Sequence, residues 1–475
     1  MAGNHMTSVD LLRHDLGFDG VLVGVLVSDL EEIYVMWYQH HYAKDRFEAV
    51  QIAMTNTSLD MSMVPNDTSF IGYMQTLVAN GQVSLDRLKA SATRIVKMKL
   101  QLHLYDEHVP GADLVDQVGD WASRAAAWDM AKESLVLVKS DNKNLPLEAS
   151  QGSFFFTGSS VDDIGLLCGG WTFTWQGQAG NTIFPNHWRT IQGAMMDAVN
   201  DPARTSFYQG VDVDGAWQVI EQAKAMAKDA DFTVVAIGER TYPEFMGNTD
   251  PAELPTGMTN YVKELASTGT KTILILVEGR PRLLDGIANL ASAVLFAGLP
   301  CEMGGEAILE MLFGKTNPSD KMALTYPKTA DQVNMATPYY GRRGDQCVVK
   351  GVLSSCPVEW HFGHGLSYTS FDYTNMQLSS MAPTDQEAVL LFISVPNAPE
   401  TKLLKKYTKV DLDVDQSAHV SFTLTLDDIG VHVNEIGHGL RKEATSGTYY
   451  VGLKYDTICG KYNLGPLCQS FTWSK

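Results

Sequence analysis

Three stretches of this chain place reactive side chains where a fold can use them. The first is Ser28-Asp29, directly behind the apolar run Gly20–Ser28 (GVLVGVLVS). An acid at the C-terminal end of a parallel strand stands where α/β folds and barrels present catalytic groups. The same aspartate is a good helix N-cap, because Glu31-Glu32-Ile33 follows, and local sequence leaves both roles open. The second stretch is Gly238-Glu239-Arg240-Thr241-Tyr242-Pro243-Glu244, behind the strand candidate Thr233–Ile237. Its alternative is a solvated acidic loop. Acids behind two strands in different domains suggest an interdomain cleft. Two carboxylates about 5–5.5 Å apart can run retaining glycoside hydrolysis: one attacks the sugar, and the other protonates the leaving oxygen and then deprotonates water. The third stretch is Cys168-Gly169-Gly170-Trp171-Thr172-Phe173-Thr174-Trp175-Gln176-Gly177. Indole faces among glycines fit a sugar-stacking subsite; the alternative is tryptophans folded into a domain interface.

No rival constellation is present. The chain has no G-x-x-x-x-G-K-S/T loop, no H-E-x-x-H and no C-x-x-C, and its 12 histidines are scattered. Metal and nucleotide readings therefore fall away, and no cofactor is expected.

The elements that must position these residues read as α/β for most of the chain. The first hundred residues alternate strand and helix. Gly20–Ser28 reads as a buried strand, Arg46–Met54 as a weak helix, and Leu59–Pro65 alternates up to proline. A clear helix follows, with Ser84 as cap and Leu85, Leu88, Ala92, Ile95, Val96, Met98 and Leu102 on its apolar face. Residues 105–120 read as a linker. The middle offers strands at Leu135–Val138, Phe154–Phe156, Thr233–Ile237, Thr272–Val277 and Ala293–Ala297. Helices at Trp217–Ala227, Met258–Leu265 and Glu306–Phe313 intervene, which predicts a mainly parallel sheet covered on both faces. Beyond about residue 375 the pattern turns all-β. Val389–Val395, Lys409–Val414, Val420–Leu426 and Tyr449–Tyr455 alternate in strand fashion, as in a small antiparallel sandwich. Gly20-Val21-Leu22-Val23 is repeated at once as Gly24-Val25-Leu26-Val27. Four extra residues lengthen a strand by ~13 Å at about 3.3 Å per residue.

Length and composition agree with several domains. There are 475 residues, 45% hydrophobic and 19% charged, which is globular usage. The net charge of −19 repels phosphate backbones and argues against nucleic acid as a partner. No apolar run approaches the ~18–20 residues of a membrane span. Residues 1–6 lack the basic start and apolar stretch of a signal peptide. Two cysteine pairs, Cys347 with Cys356 and Cys459 with Cys468, would each close a short loop, and Cys301 is expected as a thiol. Asn56-Thr57-Ser58 and Asn66-Asp67-Thr68 are glycosylation sequons. Paired cysteines favour an oxidising, extracellular setting, against the missing leader; sequons arise often by chance and add little.

Ordered motifs along nearly the whole chain resemble glycoside hydrolase family 3, the β-glucosidase and exo-β-glucanase family. They are Leu16-Gly17-Phe18-Asp19-Gly20 with Val27-Ser28-Asp29; Leu59-Asp60-Met61; Ala131–Lys139 with Leu145-Pro146-Leu147; and the Gly170-Trp171 loop. Then come Gly238-Glu239 through Glu244; Gly279-Arg280-Pro281; Gly304-Gly305-Glu306-Ala307; Phe313-Gly314 with Asn317-Pro318-Ser319; and Phe362–Thr369. The resemblance implies the C-terminal part of a (β/α)8 barrel over 1–104, a linker over 105–120 and an α/β sandwich domain over 121–345. A connecting segment over 346–376 and a fibronectin-III-like β-sandwich over 377–475 complete it. By motif match Asp29 is the nucleophile, Glu244 the acid/base and Trp171 a wall of the leaving-group subsite. The implied substrates are oligo- or polysaccharide β-glucosides, cleaved from the non-reducing end without a cofactor. Three features depart from the family: few residues precede Asp29, Leu30 stands where tryptophan usually follows the nucleophile, and the GVLV repeat sits in the nucleophile strand. The expectation is an N-terminally truncated member with impaired β-glucosidase activity. A non-catalytic carbohydrate-binding remnant and a β-xylosidase are the alternatives, and the oligomeric state is left open.

Overall fold

A computed structural model of the chain describes residues 2–474 apart from 19–23, 65, 108, 110, 142–143, 249–251, 331–345, 350–351, 356–357, 374–375, 377–387, 397–401, 414–415 and 434. Two compact units result: residues 1–118 with 424–444, and residues 119–423 with 445–475. No helix among the described residues is long and apolar enough to cross a membrane.

The first unit is largely helical. After a π-helical segment, Met6–Asp15, come α1 (Glu32–Tyr38), α2 (Arg46–Asn56), α3 (Ser69–Ala79) and α4 (Leu85–Gln101). Asp45 caps α2 through the Glu48 N–H at 2.8 Å, and Ser84 caps α4 through the Arg87 N–H at 3.1 Å. Ile33, Tyr34, Ala49, Val50, Ala53 and Leu77 fill the core between α1, α2 and α3. Of the expected strand Gly20–Ser28, the described part, residues 24–28, is not a strand. Residues 20–23, the first GVLV copy, lie outside the described residues, and the second copy supplies only an isolated parallel bridge from Val27 to Met61. Of Leu59–Pro65, the described residues 59–64 likewise contribute that bridge, and a single bridge does not propagate a sheet.

α4 corrects a second expectation. Its apolar stripe is only partly turned inward: Leu88 packs on the core and Ile95 and Met98 are half-buried, but Leu85 is 59% and Val96 45% exposed, and the fully buried residue is Ser91. The reason is Asp60, whose carboxylate is fully buried. Ser91 Oγ donates to it at 2.6 Å, and Arg94 and Arg13 each pair with it at 2.8 Å. A buried carboxylate without partners is far more costly than an exposed leucine. The polar face of α4, Arg87-Ser91-Arg94, therefore turns inward.

The second unit is built on a six-stranded sheet: β1 (Val136–Ser140), β2 (Phe154–Thr157), β3 (Thr205–Tyr208), β4 (Phe232–Gly238), β5 (Lys271–Val277) and β6 (Ala293–Gly298). The spatial order is β1-β6-β5-β4-β2-β3, with β1 antiparallel and the others parallel. Helices α5 (Trp121–Ser134), α6 (Ile164–Cys168), α7 (Ile191–Val199) and α11 (Gly304–Leu312) share one core with the sheet. That core takes Val234, Ala236, Ile273 and Ile275. On the opposite face α8 (Ile220–Asp229), α9 (Thr256–Ala266) and α10 (Ile287–Leu290) pack on Val235, Ile237, Leu274 and Leu276. Alternate residues of each strand thus feed opposite cores, which is why β4 and β5 read as unbroken apolar runs. The five strands and three helices expected here lie within a few residues of those observed; β3, α5, α6, α7 and α10 were not anticipated.

The C-terminal part forms a four-stranded antiparallel sheet in the order Leu403–Lys409, Ala388–Ser394, Gly447–Leu453, Cys468–Trp473. Two expected strands fail. The strand before Lys409–Val414 forms instead, and Val420–Leu426 leads into a helical turn, Leu426–Ile429, within the first unit. Its Thr425 and Asp428 form a reciprocal capping box, a helix-start signal that outweighs the alternation before it.

Cys459 and Cys468 are disulfide-bonded across nine positions. Cys301 is not a thiol: it is bonded to Cys168, 133 residues away in sequence, because the loops after α6 and β6 meet at one edge of the sheet. The expected Cys347–Cys356 pair lies outside the described residues at Cys356. Alkylation of unfolded, unreduced protein followed by peptide mapping should leave Cys168, Cys301, Cys459 and Cys468 unmodified. Labelled Cys168 and Cys301 would contradict the long-range pair.

Candidate active site

The second unit's candidate residues gather at the carboxyl edge of its sheet. After β2 the chain lays β3 on one side and β4 on the other, so the winding reverses between β2 and β4. α/β sheets bind ligands outside the carboxyl ends of strands at such a reversal. The loop after β2 and α6 carries Trp171; the loop after β4 carries Glu244.

These two loops touch through backbone. A Cβ at Gly170 would overlap the Tyr242 carbonyl, and one at Gly177 would overlap the Gly169 carbonyl, so only glycine permits the approach. Trp171 is 67% exposed, with its ring centroid 6.5 Å from that of Trp175. Between them Phe173 stacks on Trp188 at 5.8 Å and tilts against Phe184 at 5.5 Å, which seats the tip of the loop. Trp171 (φ 60°), Phe173 (φ 58°), Glu244 (φ 51°) and Cys301 (φ 50°) all hold left-handed backbone. Such conformations cost of order 1–3 kcal/mol each and concentrate where a site must be preorganised.

Glu244 opens a short 3-10 turn, Glu244–Gly247, and is exposed. Its loop is held from below by Glu239, the first residue after β4, whose side chain is only 5% exposed. Arg280 Nε pairs with Glu239 Oε2 at 3.1 Å and Arg282 with the same oxygen at 2.8 Å. Tyr242 donates its hydroxyl to Glu239 Oε1 at 2.8 Å. Arg280 lies over the Tyr242 ring at 4.2 Å and donates to the Gly247 carbonyl, and Arg282 donates to the carbonyls of Ala252 and Glu253. One buried carboxylate with two guanidiniums thus pins both ends of the segment that bears Glu244. Burial and the Glu239 charge push the Tyr242 phenol well above its ordinary range, so it acts as a fixed donor. The sequence had marked Glu239 and Gly279-Arg280-Pro281 separately. The missed signal was a pair of arginines at i and i+2 just past β5, beside an acid just past β4.

In the first unit, Asp29 lies at the end of a short parallel pairing. Ser28 N–H donates to the Met61 carbonyl at 2.9 Å, and Met63 N–H donates to Ser28 Oγ at 2.8 Å. Asp60 Oδ2 accepts the Leu26 N–H at 3.0 Å, so the buried Asp60 cluster also fixes the segment leading to Asp29. Asp29 is exposed, and its Oδ1 accepts the Leu30 N–H at 2.7 Å. The cap position of α1 is Glu31, at φ 52°, with no side-chain cap bond; Asp29 meets that turn through its backbone, its carbonyl accepting Glu32 N–H at 3.1 Å and its N–H donating to Glu32 Oε2 at 3.3 Å. The Asp29 side chain does not cap the helix, which leaves its second oxygen available for chemistry.

Comparison with known proteins adds the following. The description "Glycosyl hydrolase family 3 N terminal domain" matches residues 1–98, and "Glycosyl hydrolase family 3 C-terminal domain" matches residues 135–368. A lysosomal beta glucosidase of Dictyostelium discoideum is 33% identical over 454 residues, which cover 87% of this chain and 54% of that protein. A beta-xylosidase of Formosa agariphila is 23% identical, covering 94% of this chain and 64% of that one. The crystal structure of a beta-glucosidase from Listeria innocua in complex with glucose superposes with a TM-score of 0.81 at 20% identity, over 99% of this chain and 65% of that one. The chain therefore spans about half to two thirds of the length of these relatives.

Glu278, the first residue after β5, is fully buried. Tyr326 donates its hydroxyl to Oε1 at 2.7 Å, and Oε2 has no hydrogen-bond partner among the described residues. Burial pushes its pKa from 4.5 up to about 8, with the Glu239 charge adding to the rise and Tyr326 and Arg282 opposing it. Between these two values the folded chain binds more protons at this site than the unfolded chain. This site's contribution to stability is fully present below pH 4.5 and is lost as pH rises through about 8. Urea midpoints should therefore fall from pH 5 to pH 8 in the wild type, and the slope should flatten in Glu278→Gln. Equal slopes would place the ionisable burden elsewhere.

Proposed function

The chain belongs to glycosyl hydrolase family 3, and on that premise we propose that it acts on terminal β-D-glucosyl residues of oligo- or polysaccharides by the retaining mechanism, with Asp29 as nucleophile and Glu244 as acid/base. The observation that carries this reading is the carboxyl edge of the second unit, where an exposed indole and the Glu244 loop meet at the sheet's winding reversal. Asp29 attacks the anomeric carbon while Glu244 gives its proton to the departing oxygen. Glu244, now a carboxylate, takes a proton from water, whose oxygen attacks the same carbon and releases Asp29. Each step inverts the anomeric centre, so the product retains its configuration. Trp171 supplies the face on which the leaving sugar stacks.

In this reading residues 1–104 are the last βα units of a (β/α)8 barrel, and the C-terminal sheet belongs to a fibronectin-III-like domain. Two disulfides support an oxidising, extracellular setting. β-Xylosides are the second reading, supported by the xylosidase among the relatives. Holding the sugar in line with the nucleophile is worth about 7–11 kcal/mol of barrier. Without turnover, the same indole loop still makes a carbohydrate-binding surface.

Purified chain assayed with an aryl β-D-glucoside, beside Asp29→Asn and Glu244→Gln, tests the proposal. The expected result is turnover that Asp29→Asn reduces to background. Glu244→Gln should cost less on an activated aryl leaving group than on an alkyl glucoside, because the former needs little protonation. Turnover indifferent to both substitutions would remove the assignment.

A further inference from the structure

Three backbone hydrogen bonds close within the loop that presents Trp171: Trp171 N–H to the Trp175 carbonyl at 3.0 Å, Thr174 N–H to the Thr172 carbonyl at 2.7 Å, and Gly177 N–H to the Thr174 carbonyl at 3.1 Å. Two features fix the loop at its tip and its root. Phe173 is seated against Trp188 and Phe184 at the tip, and Cys168 is bonded to Cys301 at the root. Only Gly169 and Gly170 separate the disulfide from the indole. Glycine resists rotation least of all residues, so without a fixed root the indole can swing. Leu299, two residues before Cys301, fills the space beside Gly169, and the Tyr242 carbonyl lies beside Gly170. The bond therefore joins the loops after α6 and β6 at the point where the loop after β4 also arrives.

The fold around this bond does not depend on it in the same way. All five residues of α6 and seven of the nine in α11 are buried, and both helices belong to the main core. Cys459–Cys468 is a contrasting case, since Cys468 is already paired across the ladder with Gly452.

Resting on the reading of this loop as a sugar-stacking surface, we propose that the Cys168–Cys301 disulfide holds Trp171 in its sugar-binding pose. The two cysteines are then positioning residues of that surface. An oxidised chain binds a β-glucoside at this edge of the sheet; a chain with this bond open keeps its core and loses the binding.

Full-length chain titrated with cellobiose, read by calorimetry and tryptophan fluorescence, tests this. Cys168→Ser with Cys301→Ser should still melt cooperatively, at lower temperature, while its Kd rises at least tenfold. Trp171→Ala should weaken binding equally, and adding it to the double serine variant should cost nothing more, the mark of one shared interaction. Cys459→Ser with Cys468→Ser should leave the Kd unchanged. Unaltered binding by the Cys168/Cys301 variant, with binding lost in Trp171→Ala, would overturn the positioning role and leave the stacking surface standing. Unaltered binding in Trp171→Ala, or no binding by the wild type, would overturn both. If the double serine variant does not fold, the wild type reduced with dithiothreitol and alkylated at Cys168 and Cys301 takes its place. Binding lost with the circular dichroism of the core intact supports the proposal, and full binding overturns it.

Discussion

Glu239 sunk between Arg280 and Arg282 is the interaction on which the candidate site depends. Glu239 follows β4 and the arginines follow β5, so the cluster ties the carboxyl ends of two central strands. Removing one partner from such a cluster leaves a buried charge uncompensated, at a cost of about 3–5 kcal/mol. The outer arms of the cluster define the loop above it. Tyr242 bonds to Glu239, Arg280 caps Gly247, and the Tyr242 carbonyl meets Gly170. An exposed acid and an exposed indole thus stand on fixed backbone although neither is itself buried.

The first unit uses the same device for a different end. Asp60 draws Arg13, Arg94 and Ser91 inward, and α4 turns its polar stripe to the core to satisfy it. Leu85, Val96 and Leu102 are left exposed as a consequence. Desolvated charge outranks a leucine stripe in setting the rotation of a helix, because an unpaired buried carboxylate costs several kcal/mol and an exposed leucine about 2.

The same ranking explains what the sequence made legible. The strands β2, β4, β5 and β6 were plain, since residues buried on both faces form continuous apolar runs. β3 was not, because Thr205–Tyr208 is four residues long and half-buried throughout. The rotation of α4 was hidden, since hydrophobic periodicity does not know where Asp60 lies. Cys301 was misread because proximity along the chain favours short loops, whereas its partner is 133 residues away and meets it only through sheet topology. Asp29, Glu244 and Trp171 stood out as types behind strands and among glycines. The residues that hold Glu244 in place did not, because Glu239 and its arginines are 41 and 43 residues apart.

The most direct measurement of the account is hydrogen exchange of the full chain with and without saturating cellobiose. A sugar seated at the winding reversal of the sheet slows exchange in residues 169–177 and 239–247 together and leaves the four-stranded C-terminal sheet unchanged. Protection confined to other segments, or absent from both of these loops, would contradict the claim that this edge of the sheet is where the protein meets its substrate.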